Sequence, residues 1–183
     1  PNIEYMATQL IYILHSEDEK CIFLALKLMI SINLPPVGDF SIIYTFIKST
    51  NIKLAVESIK FIQHFHSLFL ENEKAKMTLL NVLAFNSYRI SYQSAMTLIL
   101  FDLNVNEKAF LLQKLLIFLD LGSDQESLME ELAILLSNAT GEERKVLDQI
   151  LIDDLHILEN LSWCDNEKIS ELATKIVSLI IPE

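Results

Sequence analysis

Apolar residues recur along the chain with the three-to-four-residue spacing of amphipathic helices. One such stripe contains Leu24, Leu28 and Ile32, and another contains Leu111, Leu115 and Phe118. We expect these residues, and Leu172 near the end of the chain, to face the core. The pattern predicts helices at residues 3–15, 18–32, 40–48, 52–66, 69–85, 88–101, 105–120, 125–137, 142–153, 155–162 and 166–180.

Helix-start signals support this division of the chain. In a capping box, a Ser or Thr and a Glu three residues later satisfy exposed backbone N–H groups. The sequence predicts three of these boxes: Ser16 with Glu19, Ser123 with Glu126, and Thr140 with Glu143. The chain has only three Gly and four Pro, fewer than a sandwich, a barrel or a Gly-rich nucleotide fold requires. The predicted fold class is therefore all-α.

The predicted helices are joined by short links, which favour antiparallel pairs because a crossover has no room. The second helices of the pairs start near residues 18, 52, 88, 125 and 166. These starts are 34 to 41 residues apart, which is the period of a two-helix solenoid repeat. Residues 19–28 also align with residues 167–176 without gaps.

The second helices share a polar start, a basic residue and then a small residue. This order is found in Asp18, Lys20 and Ala25, and it returns in Asn166, Lys168 and Ala173.

That pattern resembles the second helix of HEAT and armadillo-type repeats. The resemblance implies a right-handed α-solenoid of about five antiparallel helix pairs, forming one repeat domain over residues 1–183. It implies a surface for protein partners rather than an active site. A VHS/ENTH-like superhelix or the middle domain of translation-initiation factor 4G gives nearly the same pattern, and these are also binding modules.

The charge is unevenly distributed along the chain. There are 25 acidic and 14 basic residues, a net charge of −11. Residues 1–101 contain eight of each sign, so the whole excess lies in residues 102–183. This balance argues against nucleic acid as the main ligand and favours a basic partner toward the C-terminal half. The alternative is an ordinary solubilising surface.

Several charged residues have the spacing of a binding surface on the second helices. Residues seven positions apart share a helix face, as do Lys20 with Lys27, Lys53 with Lys60, and Lys168 with Lys175. The fourth pair instead presents Glu126, Glu130 and Glu131, so the predicted groove changes sign along its length. Trp163, the only tryptophan, either packs into the last pair, which we favour, or contacts a partner. The alternative is that these are solvated faces without a ligand.

No catalytic or cofactor motif accompanies these features. Phosphate-binding loops, nucleophile elbows and zinc-protease or calcium-binding motifs are missing from the sequence. His64 and His66 are two positions apart and point to different sides of a helix. Cys21 and Cys164 are isolated, which predicts neither a disulfide nor a zinc site. The expected protein is not an enzyme, and it carries no cofactor or metal.

The predicted function is a protein–protein interaction scaffold that holds a peptide or helix of a partner within a larger complex. The alternative is a structural spacer within a longer solenoid. The sequence has neither a signal peptide nor an apolar run of about 18 residues, so we expect a soluble cytoplasmic or nuclear protein without membrane insertion. Because the chain begins at Pro1, we expect a fragment of a longer protein. The oligomeric state remains open.

Overall fold

The structure is a computed structural model that describes residues 3–36, 38–85, 87–122 and 124–180. Within those ranges the regular structure is entirely helical, which confirms the all-α prediction. The helices are α1 (Ile3–Leu14), α2 (Glu19–Ser31), α3 (Ile43–Ile47), α4 (Ile52–His64), α5 (Glu73–Phe85), α6 (Tyr88–Leu98), α7 (Val105–Asp120), α8 (Gln125–Ser137), α9 (Gly141–Asp153), α10 (Leu155–Ser162) and α11 (Glu167–Ile180).

The predicted boundaries differ most at α5, which begins at Glu73 instead of residue 69. A 3-10 turn at His66–Leu68 interrupts the chain first. Asn72 then accepts a hydrogen bond from the backbone N–H of Ala75, 3.1 Å away, and so starts the helix. The apolar spacing of the sequence continues through this interruption, so the spacing does not show where α5 begins.

The chain divides into two compact units, Pro1–Phe101 and Asp102–Glu183. The single repeat domain over residues 1–183 stays a prediction.

In the described ranges of the first unit the helices pack as three pairs. Helix α1 packs on α2, α3 on α4, and α5 on α6. The second helices also contact one another, α2 on α4 and α4 on α6. Fully buried side chains fill the space between them, including Leu26, Met29, Ile43, Phe61 and Phe69.

Among its described residues, the second unit has five helices. Helix α7 packs on α8 and α9, α8 packs on α11, and α10 packs on α11. Its core includes Leu111 and Leu115, which are fully buried, and Phe118, which is nearly so, as the apolar spacing predicts. Ala173 of α11 is also completely buried.

The predicted core face of α2 is wrong. Leu24 is 61% exposed, and Leu28 and Ile32 are each 42% exposed. The buried residues are instead Ile22, Ala25, Leu26 and Met29. Helix α2 is apolar on nearly every side, so spacing alone cannot identify the inner face; packing against α1 and α4 selects it. Leu172 of α11 is only half-buried.

The predicted capping box at Ser16 and Glu19 is also wrong. Asp18 is the cap of α2, and its carboxylate accepts hydrogen bonds from the backbone N–H groups of Lys20 at 2.9 Å and Cys21 at 3.4 Å. Asp18 directly precedes the helix and therefore reaches those groups first. Glu19 is then free to contact another part of the fold.

The two other predicted boxes have different outcomes. Thr140 precedes α9, but its side chain makes no capping hydrogen bond, and Glu143 contacts Lys108 at 2.6 Å instead. The pair of Ser123 and Glu126 cannot be compared, because Ser123 lies outside the described residues. A capping box forms instead at Asn104 and Glu107, since the prediction considered only Ser and Thr as its first residue.

Stability should depend on pH through Asp18. A hydrogen bond from the Cys21 thiol and two from backbone N–H groups hold the pKa of Asp18 below its ordinary value near 3.8. The ionised group therefore stabilises the fold above that value, and the contribution is lost as the pH falls through the lowered pKa. Asp18→Asn keeps a capping acceptor but does not titrate. We expect the wild type to lose melting temperature relative to Asp18→Asn on acidification.

Thermal unfolding followed by circular dichroism, at neutral pH and well below pH 3.8, measures this difference. Comparing the two proteins at each pH cancels the titration of all other carboxylates. A difference in melting temperature that stays constant with pH would contradict the role of Asp18.

The longest described helix, α7, has 16 residues. Among the described ranges, no helix combines the length and the apolar character needed to cross a bilayer.

Candidate protein-binding groove

The exposed sides of α2, α4 and α6 form a surface that carries five of the eight Lys and Arg residues of the first unit. We call it the basic surface, and its charged members are Lys20, Lys27, Lys53, Lys60 and Arg89. All five side chains are exposed. The sequence therefore identified four of them through their spacing and missed Arg89.

Contacts on either side of α4 show how this helix is oriented. His64 lies 3.0 Å from the side-chain oxygen of Asn33, which follows α2. The Gln63 side-chain oxygen accepts a hydrogen bond of 2.7 Å from Gln93 of α6. Lys53 and Lys60 project between these two flanks, on the side of α4 that is open to solvent.

A groove lies between the first turns of α2 and α4 and encloses about 390 Å³. Its lining residues are Glu19, Lys20, Phe23, Leu24, Asn51, Lys53 and Leu54. Its apolar part comes from Phe23, Leu24 and Leu54, and two of the predicted lysines stand at its mouth. Sequence reasoning missed Phe23 and misassigned Leu24 to the core.

The carboxylate of Glu19 joins the two walls of the groove. It accepts hydrogen bonds from the Asn51 side-chain amide at 2.8 Å and from the Ser49 hydroxyl at 3.2 Å. Asn51 in turn accepts a hydrogen bond of 3.3 Å from the backbone N–H of Leu54. This network holds the starts of α2 and α4 together and engages the carboxylate of Glu19, the only acidic residue in the described lining of the groove.

The basic surface has little internal charge compensation. In the part of the chain that the structure describes, no carboxylate forms an ion pair with Lys20, Lys53 or Lys60. Lys27 lies over the Phe23 ring, 5.8 Å from its centroid. Glu57 is an acid on the same side of α4 but is only 9% exposed. The groove therefore presents positive charge beside apolar side chains.

Aromatic residues extend this surface over α6. The rings of Tyr88 and Tyr92 stack with their centroids 6.0 Å apart, next to Arg89. The four-residue spacing of the two tyrosines was a visible signal that sequence reasoning did not use. Exposed aromatic and Arg side chains are typical of protein contact sites.

The acidic residues predicted on α8 lie in the second unit and are partly neutralised there. Lys168 of α11 contacts Glu126 at 2.6 Å and Glu130 at 2.5 Å. These carboxylates raise the pKa of the Lys168 ammonium group well above its ordinary value. Burial, and secondly the charge of Glu130, raise the pKa of Glu131. The acidic cluster is therefore largely an internal link between α8 and α11.

Trp163 does not pack into the last helix pair, so the favoured interpretation of this residue is wrong. Its side chain is 89% exposed at the end of α10. The neighbouring segment is ordered by a hydrogen bond of 2.5 Å from the Ser170 hydroxyl to the carbonyl of Ser162. Trp163 remains a candidate contact on the surface of the second unit.

The histidines form local hydrogen bonds. His64 contacts Asn33, and His66 lies 3.2 Å from the carbonyl oxygen of Gln63. Among the residues described, no three His, Cys, Asp or Glu side chains are grouped so that they could hold a metal ion.

Comparisons of the chain with protein families, with curated proteins and with solved structures find no match.

Proposed function

We propose that the protein is a non-enzymatic interaction scaffold that holds a peptide or helix of a partner protein on the basic surface. The observation that carries this proposal is the groove between α2 and α4, where the exposed Leu24 and the half-buried Phe23 adjoin lysines that form no ion pair among the described residues. A partner would cover the apolar side chains and supply the missing counter-charges.

A solenoid of HEAT- or armadillo-like helix pairs is part of the same proposal. It is supported by the contacts of α2 with α4, α4 with α6, and α8 with α11. It is also supported by Ala25 and Ala173, the small residues of the repeat-like pattern, which are 3% and 0% exposed. Its right-handed sense is what the sequence resemblance implies. Stacked pairs of this kind leave an extended surface for partners.

The groove has dimensions that suit a protein contact. Its volume of about 390 Å³ lies in the lower part of the range of clefts that bind small molecules, so it has room for a few side chains of a bound segment. Leu24 is 61% exposed and gains from being covered, since burial of apolar area is worth about 25 cal/mol per Å². The hydrogen bonds of Glu19 keep the walls together, so little ordering cost remains to be met on binding.

The alternative function is a structural spacer within a longer solenoid, and the exposed face of α1 favours it. Helix α1 exposes Tyr5 and Tyr12, seven positions apart on one face, by 67% and 77%. Such a face would be covered by a neighbouring repeat in a longer solenoid. A VHS/ENTH-like module or one like the middle domain of translation-initiation factor 4G would also use its helical surface for binding.

The second unit offers another candidate contact for the same scaffold. Trp163 is exposed beside the acidic residues Glu159 and Asp165, in a half of the chain with seventeen acids and six bases. A basic segment would suit this surface, because Trp attracts Lys and Arg through its ring and the carboxylates attract their charge.

Photo-crosslinking tests the proposed binding surface. With benzoylphenylalanine in place of Leu24, the protein should crosslink to a discrete polypeptide in an extract of its native cell. The same residue in place of Leu68, which is 47% exposed in the first unit but does not line the groove, serves as the matched control. Mass spectrometry of the adducts identifies the crosslinked segment.

A crosslink that forms at position 24 and is absent at position 68 supports the scaffold. Equal crosslinking at both positions would indicate non-specific contact and would contradict the proposed surface. If neither position yields an adduct with the folded protein, the spacer function is favoured instead.

A further inference from the structure

We infer, resting on the proposed function, that the segment bound between α2 and α4 is an acidic amphipathic helix. Its carboxylates stand two helical turns apart on one face, with bulky apolar residues between them.

The inference begins with the relative direction of α2 and α4. Glu19 and Asn51 join the first turns of the two helices at 2.8 Å. Asn33 and His64 join their other ends at 3.0 Å. The first turns of α2 and α4 are therefore adjacent, and so are their last turns. The two helices thus run side by side in the same direction.

Because the helices run in the same direction, the four lysines of α2 and α4 form two pairs, each with one lysine from either helix. Lys20 and Lys53 line the groove at one end. Lys27 and Lys60 each lie seven residues farther along the same helices, which is about 10 Å of helix axis. The groove itself ends before Lys27 and Lys60, so an occupant that fills it and continues along α2 and α4 would meet positive charge at two points separated by that distance.

The sign of the charge selects an acidic occupant. The carboxylate of Asp18, whose charge acts on Lys20, is engaged in capping α2, and that of Glu19 is engaged by Ser49 and Asn51. Glu57 is largely buried. Covering the four lysines with an apolar or basic segment would remove them from water without a counter-charge, which is costly. Carboxylates on the occupant remove that cost.

The apolar lining explains what lies between the carboxylates. Phe23 and Leu24 occupy the first two turns of α2, between Lys20 and Lys27 in sequence, and Leu54 forms part of the opposite wall. On a helix, residues three and four positions after the first carboxylate share its face with the residue seven positions after it. Bulky apolar residues at those positions would meet Phe23 and Leu24.

The spacing also distinguishes a helix from an extended peptide. An extended chain advances about 3.3 Å per residue and would cover the same distance in about three residues. Side chains three apart on a strand point to opposite sides, so only one of two carboxylates would face the lysines. A helix presents both on one face.

Two designed peptides provide the test. Both are alanine-based helices of the same composition, with a fluorescent label, two glutamates and two leucines. In the first the glutamates are seven positions apart with the leucines between them, and in the second they are five positions apart and face different sides. Fluorescence anisotropy with the full chain should give about two- to fivefold tighter binding of the first peptide.

Charge reversal locates the binding. Lys20→Glu with Lys53→Glu should weaken the first peptide about tenfold or more, and a peptide with lysine in place of one glutamate should recover the loss. Lys48→Glu with Lys145→Glu changes the net charge equally, at exposed positions that do not line the groove, and should leave binding unchanged. Circular dichroism verifies that both variants remain helical.

Equal affinity for the two peptides would contradict the proposed seven-residue spacing of the carboxylates. Equal effects of the two double variants would contradict the proposed binding site at Lys20 and Lys53. If neither peptide binds but benzoylphenylalanine at position 24 still yields its specific adduct, the acidic helix is wrong and the scaffold stands. If the adduct is also missing, both fail. Sedimentation without peptide tests whether the protein binds a second copy of itself. Self-association that is lost in Lys20→Glu with Lys53→Glu would identify that second copy as the occupant and would overturn the inference.

Discussion

Leu26→Ala is expected to lower the free energy of unfolding by about 2–5 kcal/mol, whereas Leu24→Ala changes it by less than about 0.5 kcal/mol. The two leucines lie on the same helix, two positions apart, and undergo the same substitution. Leu26 is completely buried and Leu24 is 61% exposed. Truncating Leu26 therefore removes core contacts and leaves a cavity, while truncating Leu24 removes atoms that are mostly in contact with water.

Urea denaturation of the two variants and the wild type measures this difference, with the same slope required for all three proteins. Leu24→Ala is the matched control because it shares the helix, the residue type and the change in helix propensity. Equal destabilisation by the two substitutions would mean that α2 packs with a different face inward.

Ala173→Leu should destabilise the protein by about 1–3 kcal/mol. Ala173 is completely buried on α11, which packs against α8 and α10. The added carbon atoms have no space there unless the helices separate or neighbouring side chains leave their preferred rotamers. The expected loss comes from overpacking, because the substitution itself replaces one good helix former by another.

Thr174→Leu is the control for this prediction. Thr174 is the next residue of α11 and is exposed, so the larger side chain projects into solvent. We expect a change within about 0.5 kcal/mol, measured by the same denaturation experiment. A comparably small effect of Ala173→Leu would show that α11 is not closely packed at this position.

Helix positions could be predicted well because their signals are local. The helix predicted at residues 105–120, for example, is observed as Val105–Asp120, because apolar spacing is a property of the helix's own residues. Which face of a helix points to the core cannot be read from the local sequence in this protein. Helix α2 carries apolar residues around most of its circumference, so both Leu24 and Leu26 satisfy a core pattern by sequence.

The features of the candidate site likewise include some that the sequence predicted and some that it could not predict. Spacing placed Lys20, Lys27, Lys53 and Lys60 on exposed faces, because residues seven apart share a helix side whatever surrounds the helix. Spacing could not show that Glu19 bonds Ser49 and Asn51 from a distant part of the chain. That contact joins the two walls of the groove and engages Glu19, which forms no ion pair with Lys20 or Lys53.

In the second unit, sequence and structure differ because partners are distant in the chain. Glu126 and Glu130 read as a free acidic face, but Lys168 approaches them from a helix that begins about forty residues later. Trp163 shows the opposite case, since its large apolar ring suggested packing and no neighbouring helix covers it among the residues described.

The sequence by itself determined that this protein is helical, where its helices lie to within about four residues, and which lysines share a face. Each of these properties depends on interactions within one or two turns of a single helix. The tertiary structure alone decided that Leu26 rather than Leu24 is buried, that Lys20 and Lys53 meet at one groove, and that Lys168 neutralises α8. These properties depend on which helices pack together, because burial and charge compensation are supplied by neighbours that are remote in the sequence.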